Sequence, residues 1–179
     1  MSDRRDYAAI VRDRAPQWRR TAYLCCGDWT RADDLLQTAR LRLYLSWHRI
    51  DLGGVDAYAR TVIARLAIDE SRRPWRRAES MVGPPDRPSV PVDVEANLDL
   101  HAALQRLPGR QRITLVLRFY GDLSVTDTAK ALRVSEGTVK SQTARGLAAL
   151  RAVLDTAGVP NVAPAATHPP HICAPEARR

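Results

Sequence analysis

Apolar side chains recur along most of this chain at intervals of three and four residues, the period of an amphipathic α-helix. The clearest run predicts a helix over residues 57–73, and its buried face carries Ala59, Val62, Ile63, Leu66 and Ala67. Pro74 cannot continue that helix. No segment shows the convincing alternation of a half-buried strand, so the pattern predicts an all-α fold.

Further helices are predicted before that run. One begins near Tyr7 and ends before Gly27, and Pro16 either kinks it or begins a second helix. Another extends through Trp47, with Thr30 as a plausible N-cap. The first part of the chain is therefore interpreted as three or four helices.

Four more helices are predicted in the second half of the chain. The first two are short and end at Pro108 and Gly121. Ser124 and Ser135 can then cap two helices on either side of a short turn. The inner face of the last helix carries Val139, Thr143, Leu147, Leu150 and Leu154. Two helices joined in this way form a helix-turn-helix.

The prolines divide the chain. Ten of the twelve fall between Pro74 and Pro91 or between Pro160 and Pro175, where the fixed φ and the missing N–H disfavour a helix. We therefore expect two small all-α domains, over residues 1–75 and 97–155. A flexible linker is expected over 76–96 and a mostly disordered, Pro-rich tail over 156–179.

Positive charge is concentrated in the two predicted domains. The formal net charge of +8 is the sum of +4 over residues 1–75, −1 over 76–98, +5 over 99–154 and zero over the remainder. Basic blocks favour a polyanionic partner, nucleic acid first, and a solvated basic surface is the alternative. No apolar run approaches the roughly 20 residues of a membrane span, and no secretory signal is recognisable, so we expect a cytoplasmic protein.

The second helix of the helix-turn-helix carries side chains that suit DNA, because they can reach base edges and phosphates from outside its apolar stripe. These residues are Ser135, Glu136, Thr138, Lys140, Ser141, Gln142 and Arg145. Gly137 costs roughly 1 kcal/mol against Ala within a helix, and a close approach of the backbone to DNA would explain it. The alternative is a helical hairpin with a solvated polar face.

Motifs in both domains are similar to those of one known family. In the second domain they are Leu107-Pro108, Arg110-Gln111-Arg112, Leu117-Arg118-Phe119-Tyr120, Asp122-Leu123-Ser124 and the run from Glu136 to Arg145. In the first domain they are Thr21 to Leu24, Gly27-Asp28, Ala32 to Thr38, Ala57-Tyr58, Leu66 to Glu70 and Arg72-Arg73. Through these motifs the chain resembles the extracytoplasmic-function (group 4) sigma factors of bacterial RNA polymerase, above all the actinobacterial sigma-E-like subfamily.

The resemblance implies that the chain binds core RNA polymerase and directs it to promoter DNA. The residues implied for polymerase are Asp33, Asp34, Leu36 and Gln37; alternatively, the carboxylates simply favour a helix N-terminus. Those implied for the melted minus-ten element are Tyr58, Thr61, Arg65, Arg72, Arg73 and Trp75. The seven helix-turn-helix residues would read the minus-thirty-five element in the major groove. An anti-sigma factor is a further candidate partner.

Arg65 departs from the family pattern, in which Asn is common at the position that faces a flipped minus-ten base. Asn donates and accepts hydrogen bonds, whereas Arg only donates. The minus-ten sequence of relatives therefore does not transfer, and binding of phosphate or guanine is the alternative role for Arg65. A sigma-like scaffold without initiation activity is suggested by Arg65 alone. A self-sufficient duplex-binding regulator would explain residues 99–154 but not 30–73.

The remaining candidate chemistry favours structural roles. Cys25 and Cys26 are expected to be small buried hydrophobes rather than redox sensors. His168, His171 and Cys173 could bind zinc, but a fourth ligand is missing. No phosphate-binding loop or catalytic motif is recognisable, so we predict no enzymatic activity, no cofactor, no metal and no small-molecule substrate.

Overall fold

The computed structural model describes residues 2–71 and 94–156. The first stretch contains α1 (Ser2–Cys26), α2 (Trp29–Ser46) and α3 (Val55–Ser71), with 3-10 turns at Trp47–Arg49 and Leu52–Gly54. The second contains α4 (Val94–Gln105), α5 (Gly109–Leu115) with a π-helical turn over Val116–Tyr120, α6 (Val125–Leu132) and α7 (Glu136–Thr156). Neither stretch contains a strand, which confirms the all-α prediction for the described residues.

The first domain is a bundle of α1, α2 and α3. Trp18, Leu43 and Ile63, one from each helix, have no exposed surface. The Trp18 indole Nε1 donates to Asp56 Oδ1 at 2.8 Å, and Arg14 forms an ion pair with the same carboxylate. Because Asp56 lies in the first turn of α3, its charge also suits the positive end of that helix. These contacts fix the start of α3 against α1.

The second domain contains the predicted helix-turn-helix, formed by α6 and α7. Ser124 caps α6 by accepting a hydrogen bond from the Asp127 N–H at 3.0 Å. Gly146 of α7 is buried, and a Cβ at that position would lie 3.1 Å from the Leu115 side chain. The crossing of α5 and α7 therefore depends on a very small residue at position 146.

The two domains pack against each other through a shared apolar core. The cluster of buried residues that begins in the first domain continues into the second, where it includes Ile113, Val116, Leu117, Leu123 and Ala131. The sequence predicted two domains and a linker but no interface between them. Residues 94–96, which were assigned to the linker, belong to α4. The rest of that predicted linker and residues 157–179 of the predicted tail lie outside the described residues.

Arginines of α3 donate hydrogen bonds to helix ends in the second domain. Arg60 Nη1 donates to the Gly121 carbonyl at 3.0 Å, where the π-helical turn ends. Arg65 donates to Ala131 through Nε at 2.6 Å and to Lys130 through Nη2 at 3.0 Å. Carbonyls in the last turn of a helix lack an intrahelical partner, so a cation placed there satisfies them and suits the negative end of the helix.

At the end of α1 the roles of the two domains are exchanged, because side chains of the second domain donate hydrogen bonds to carbonyls of the first. Arg112 Nε donates to the Cys25 carbonyl at 2.9 Å, and Gln105 Nε2 donates to the Leu24 carbonyl at 3.3 Å. Gly27 has a φ of +83°, which favours glycine, and a Cβ there would displace the flexible end of the Gln105 side chain, whose Oε1 would lie 2.4 Å away. Together, the four side chains Arg60, Arg65, Gln105 and Arg112 are called the cross-domain caps below.

Two local alternatives for the first domain are settled by the structure. Pro16 does not begin a second helix, because α1 continues through it. Burial of Val11 and Trp18 on either side outweighs the roughly 3 kcal/mol that an internal proline costs. The N-cap of α2 is Asp28 rather than Thr30: Asp28 has extended backbone angles, and its Oδ1 accepts from the Arg31 N–H at 2.7 Å.

The N-cap assignment leads to a prediction for stability. Asp28→Ala should lower the free energy of unfolding by about 1 kcal/mol, because the Arg31 N–H loses its acceptor. Thr30→Ala is the matched control, since Thr30 is exposed in the first turn of α2, and it should change the stability little. Urea unfolding followed by circular dichroism measures both values. A larger loss in Thr30→Ala than in Asp28→Ala would overturn the assignment.

Candidate nucleic-acid interface

The start of α7 presents the polar surface that the sequence predicted. Ser135 Oγ accepts from the Thr138 N–H at 3.1 Å, which confirms Ser135 as the cap of this helix. Val139 is 1% exposed and anchors the helix to the domain core. The exposed members of the predicted set are Ser135, Glu136, Lys140, Ser141 and Arg145, and the half-buried ones are Thr138 and Gln142. All seven residues thus lie at one end of a rigid helix, with most of their side chains open to a partner.

The turn between α6 and α7 is fixed by backbone and side-chain contacts. Arg133 ends α6 in the left-handed conformation, with a φ of 54°. Thr126 Oγ1 of α6 donates to Glu136 Oε1 of α7 at 2.7 Å, which connects the two helices of the motif. A Cβ at Gly137 would meet only Ser135 Oγ, at 3.8 Å, so no neighbouring group in the described structure requires glycine there. The close approach of DNA to Gly137 remains a prediction.

The residues predicted for the minus-ten element do not form an open surface on α3. The Tyr58 hydroxyl forms hydrogen bonds with Ser46 Oγ at 3.0 Å and with the Arg42 carbonyl at 3.4 Å, both within the first domain. Thr61 is half-buried. Arg65 is engaged by the end of α6 as a cross-domain cap. The other members of this set, Arg72, Arg73 and Trp75, lie outside the described residues.

The electrostatics of Arg65 reflect its place between the domains. Partial burial lowers its pKa from the ordinary value, and the positive charge of Arg133 lowers it further. A guanidinium nevertheless remains protonated in a protein. Arg65 is therefore a half-buried cation held against two carbonyl oxygens at the end of α6.

The residues predicted to bind polymerase all lie on α2, but they differ in their exposure to solvent. Asp34 and Gln37 are exposed. Asp33 is paired with Arg19 of α1, with Nη2 and Oδ2 at 2.8 Å, and this hydrogen bonding lowers the pKa of Asp33. Leu36 is 7% exposed and belongs to the apolar core, because α2 is packed by α1 on one side and α3 on the other. The assignment of Leu36 as a surface anchor is therefore corrected.

Sequence reasoning missed an apolar surface on the same helix. Leu41 and Leu45 are 59% and 65% exposed, and Tyr44 between them is 42% exposed. Their spacing of three and four residues was the available signal, because these positions lie off the buried stripe that includes Leu43. Exposed apolar groups clustered on one helix face mark an interaction site more often than isolated ones do.

The cysteines near the end of α1 have the properties of structural thiols. Cys25 is 1% exposed, and burial raises the pKa of its thiol to about 12. Burial likewise raises the pKa of Cys26 to about 11. Because the thiolate is the reactive form, both residues are protonated near neutral pH. This result favours the structural interpretation over redox sensing.

Residues 2–71 and 94–156 contain no group of three or more His, Cys, Asp or Glu side chains that could hold a metal ion. None of their helices is long and apolar enough to cross a membrane. His168, His171 and Cys173, the weak zinc candidates, lie outside the described residues.

Two family profiles match the chain, one in each domain. Sigma-70 region 2 matches residues 10–77, and Sigma-70, region 4 matches residues 97–150. These matches coincide with the α1–α3 bundle and with the domain that carries the helix-turn-helix. The chain therefore belongs to the sigma-70 family.

The curated relatives identify the branch of that family. The RNA polymerase sigma-E factor of Streptomyces antibioticus is 36% identical over 159 residues, 84% of this chain and 86% of that protein. The sigma-E factor of Streptomyces coelicolor is 37% identical over 154 residues, 82% and 84% of the two chains. The factor SigM of Mycobacterium tuberculosis is 32% identical over 158 residues, which cover 85% of this chain and 79% of that protein. The chain is thus an extracytoplasmic-function sigma factor of the sigma-E-like kind.

A solved structure supports the fold. The sigma factor RpoE from Bartonella quintana, crystallised in complex with the anti-sigma factor NepR, superposes with a TM-score of 0.65. The match covers 84% of this chain and 97% of that one at 20% sequence identity. At this identity the likeness shows the shared fold alone.

The buried thiol leads to a prediction for chemical reactivity. Brief exposure to iodoacetamide at pH 8 should leave Cys25 unmodified in the folded protein, because its raised pKa suppresses the thiolate and burial excludes the reagent. Peptide mass spectrometry reports the modification at each cysteine. The same protein unfolded in guanidinium is the control, and there Cys25 should react. Modification of Cys25 at equal rates in both states would contradict the structural role.

Proposed function

We propose that this chain binds core RNA polymerase and directs it to promoters for recognition, melting and initiation. The observation that carries the proposal is the exposed polar start of α7, displayed on a helix-turn-helix in a chain whose other domain is sigma-70 region 2. The polymerase supplies the catalytic residues and this chain supplies none. Its place of action is the cytoplasm, where the polymerase works.

We assign recognition of the minus-thirty-five element to α7. A helix of this kind enters the major groove with its N-terminal residues on base edges. Lys140 and Arg145 are exposed cations that can donate to guanine or to phosphate, while Gln142 and Ser141 can read other edges. Ser135 and Thr138 lie where the helix N-terminus can meet a phosphate. Support comes from the position of these residues at one helix end, where Ser135, Lys140, Ser141 and Arg145 are exposed and Thr138 and Gln142 are half-buried.

We assign the binding of core polymerase to α2. Asp34 and Gln37 provide exposed polar contacts, and Asp33 would contribute after exchange of its Arg19 partner. We add Leu41 and Leu45, whose exposed side chains can supply the apolar part of the interface that buried Leu36 does not. A combination of carboxylates and apolar side chains on one helix suits a basic helical partner.

The minus-ten element is assigned to α3 and the residues after it. Tyr58, Thr61 and Arg65 lie on α3, and the cations Arg72 and Arg73 with Trp75 follow it in the sequence. Aromatic and guanidinium groups stack on unstacked bases and bind the backbone of a single strand. An anti-sigma factor is proposed as a further partner, because the structural neighbour was solved bound to one.

Run-off transcription tests the proposed function. Core polymerase is incubated with this protein on fragments of its own genome, and transcripts are mapped. Start sites that require both components would support the proposal. The contrary result is a protein that neither binds core polymerase nor initiates with it, yet retains duplex DNA alone. That result would favour a self-sufficient DNA-binding regulator.

The assignment of α7 leads to a prediction about promoter use. Arg145→Ala should reduce run-off transcript at a mapped promoter by about tenfold, since one side-chain contact to a base contributes about 1–3 kcal/mol. The matched control is Arg151→Ala, an exposed arginine on the same helix but further from its N-terminus. It should leave the transcript yield unchanged. Equal losses in both variants would exclude a specific role for Arg145.

The assignment of α2 leads to a prediction about polymerase binding. Asp34→Lys should weaken the affinity for core polymerase about tenfold, because it replaces an attraction with a repulsion. Asp13→Lys makes the same charge change at an exposed position on α1 and should have a small effect. Fluorescence anisotropy of labelled protein titrated with core polymerase measures both. The same loss for the two variants would mean that only net charge matters.

A further inference from the structure

We propose that His101 makes the contact between the two domains sensitive to pH, and that protonation of its imidazole ring in mild acid loosens that contact. His101 lies on α4 of the second domain, where its half-buried ring stacks on Tyr23 of α1 with centroids 4.2 Å apart. The interface is part of the fold, and the new property is its dependence on a single proton. This property does not depend on the proposed function.

The hydrogen bonds of Gln105 determine which nitrogen of His101 carries a proton. A carbonyl oxygen only accepts, so the Gln105 atom that lies 3.3 Å from the Leu24 carbonyl is the amide nitrogen Nε2. The same atom lies 3.1 Å from Nε2 of His101 and has a second hydrogen to donate there. His101 Nε2 must therefore accept, so the packed ring is neutral and carries its single proton on Nδ1.

Protonation is incompatible with this pair of hydrogen bonds. An imidazolium carries hydrogens on both nitrogens, so two donors would face each other across 3.1 Å. Rotation of the Gln105 amide would present Oε1 to the imidazolium instead. The same oxygen would then face the Leu24 carbonyl, which cannot donate. In either orientation one of the hydrogen bonds that connect His101 through Gln105 to the end of α1 is lost.

The surroundings of the ring also oppose a positive charge. Burial lowers the pKa of His101 below its ordinary value, and the Arg112 guanidinium of α5 lowers it further. Arg112 is fixed close by, because its Nη1 donates to the Gln105 carbonyl at 3.2 Å. Stacking on the Tyr23 ring would favour a cation. That attraction is opposed by burial, by a guanidinium and by a facing donor at the same time.

Other groups near the ring come from α1 and α7. The thiol of Cys26 and the carboxylate of Asp28 act on the hydroxyl of Tyr23, whose pKa is raised mainly by burial. Burial also raises the pKa of the Cys26 thiol to about 11, so that both the thiol and the hydroxyl are uncharged near neutral pH. The side chains of α7 that join the apolar cluster of α4 are Leu147, Ala149 and Leu150. Arg112 is the charged group that acts on the imidazole itself.

The direction of the pH effect follows from these contacts. The packed state binds a proton on His101 less readily than a state in which the ring is open to water. The packing is therefore strongest above the ordinary histidine pKa of about 6.5. It weakens as the pH falls from there through the lowered pKa of the packed ring. Each unit of difference between the two pKa values weakens the packing about tenfold at low pH.

His101 ends a longer stack of side chains that belongs to the first domain. Tyr23 also stacks on Trp29 with centroids 3.9 Å apart, and the Arg19 guanidinium lies 4.4 Å from the centroid of the Trp29 ring. Histidine is the member of this stack whose ordinary pKa lies between pH 5 and 8. A change of charge at His101 is therefore placed where the second domain contacts an ordered part of the first.

A nuclear magnetic resonance titration of the full chain tests the proton. Spectra that correlate the ring nitrogens with their neighbouring hydrogens should show the Nδ1–H form of His101 at pH 8. Its pKa should lie below that of the same residue in urea, and Gln105→Met, which removes the facing donor, should raise it. A proton on Nε2 at pH 8, or a pKa in the folded protein at or above the value in urea, would overturn the proposal.

Small-angle X-ray scattering at pH 8 and pH 5.5 measures the consequence for the domains. The radius of gyration of the wild type should rise in acid. His101→Gln keeps a donor and an acceptor but cannot titrate, so its radius should stay the same. His48→Gln makes the same change at an exposed position of the first domain and should respond as the wild type does. An unchanged radius in the wild type, or an equal rise in His101→Gln, would contradict the proposed role.

A second variant protects the test against loss of packing by substitution alone. If His101→Gln is already expanded at pH 8, His101→Phe replaces it, because phenylalanine retains a ring that can stack on Tyr23. The same criterion then applies: a rise in acid equal to that of the wild type overturns the proposal. The titration of His101 uses the wild type and decides independently. Failure to initiate with core polymerase would refute the proposed function and leave both measurements unaffected.

Discussion

Carbonyls at the ends of α1, the π-helical turn and α6 accept hydrogen bonds from side chains of the opposite domain. Arg60 and Arg65 extend from the first domain, while Gln105 and Arg112 extend from the second. A buried carbonyl without a donor costs about 1–3 kcal/mol. Each domain thus completes the hydrogen bonding of the other, and the shared apolar core brings these groups within reach.

The same constraint connects the fold to its function. The helices α3 and α7, which carry residues proposed to contact DNA, lie close together, and Ile68 of α3 lines the same small cavity as Thr138 and Gln142 of α7. Arg65 of α3 is held against the carbonyls of Ala131 and Lys130 at the end of α6. Because a guanidinium binds carbonyl oxygens as well as phosphates and bases, the side chain that helps to hold the domains together is also a proposed contact to DNA.

Local sequence signals predicted most of the fold but none of the interface. The helix periods, the caps Ser124 and Ser135, and the breaks at Gly27 and Gly121 are short-range features that a sequence displays directly. The failures have tertiary causes. Leu36 was assigned to the surface because a helical wheel does not show that α2 is packed on two sides. Arg65 was correctly placed on a polar face of α3, but its acceptors lie 65 and 66 residues further along the chain.

The most direct test is the distance between the two domains in the free protein. A fluorescent donor and acceptor can be introduced as noncanonical amino acids at Asp13 and Arg151, which are exposed on α1 and α7. The account predicts high transfer efficiency, because the two domains share one apolar core. Low efficiency, as two independent domains on a flexible linker would give, would contradict it.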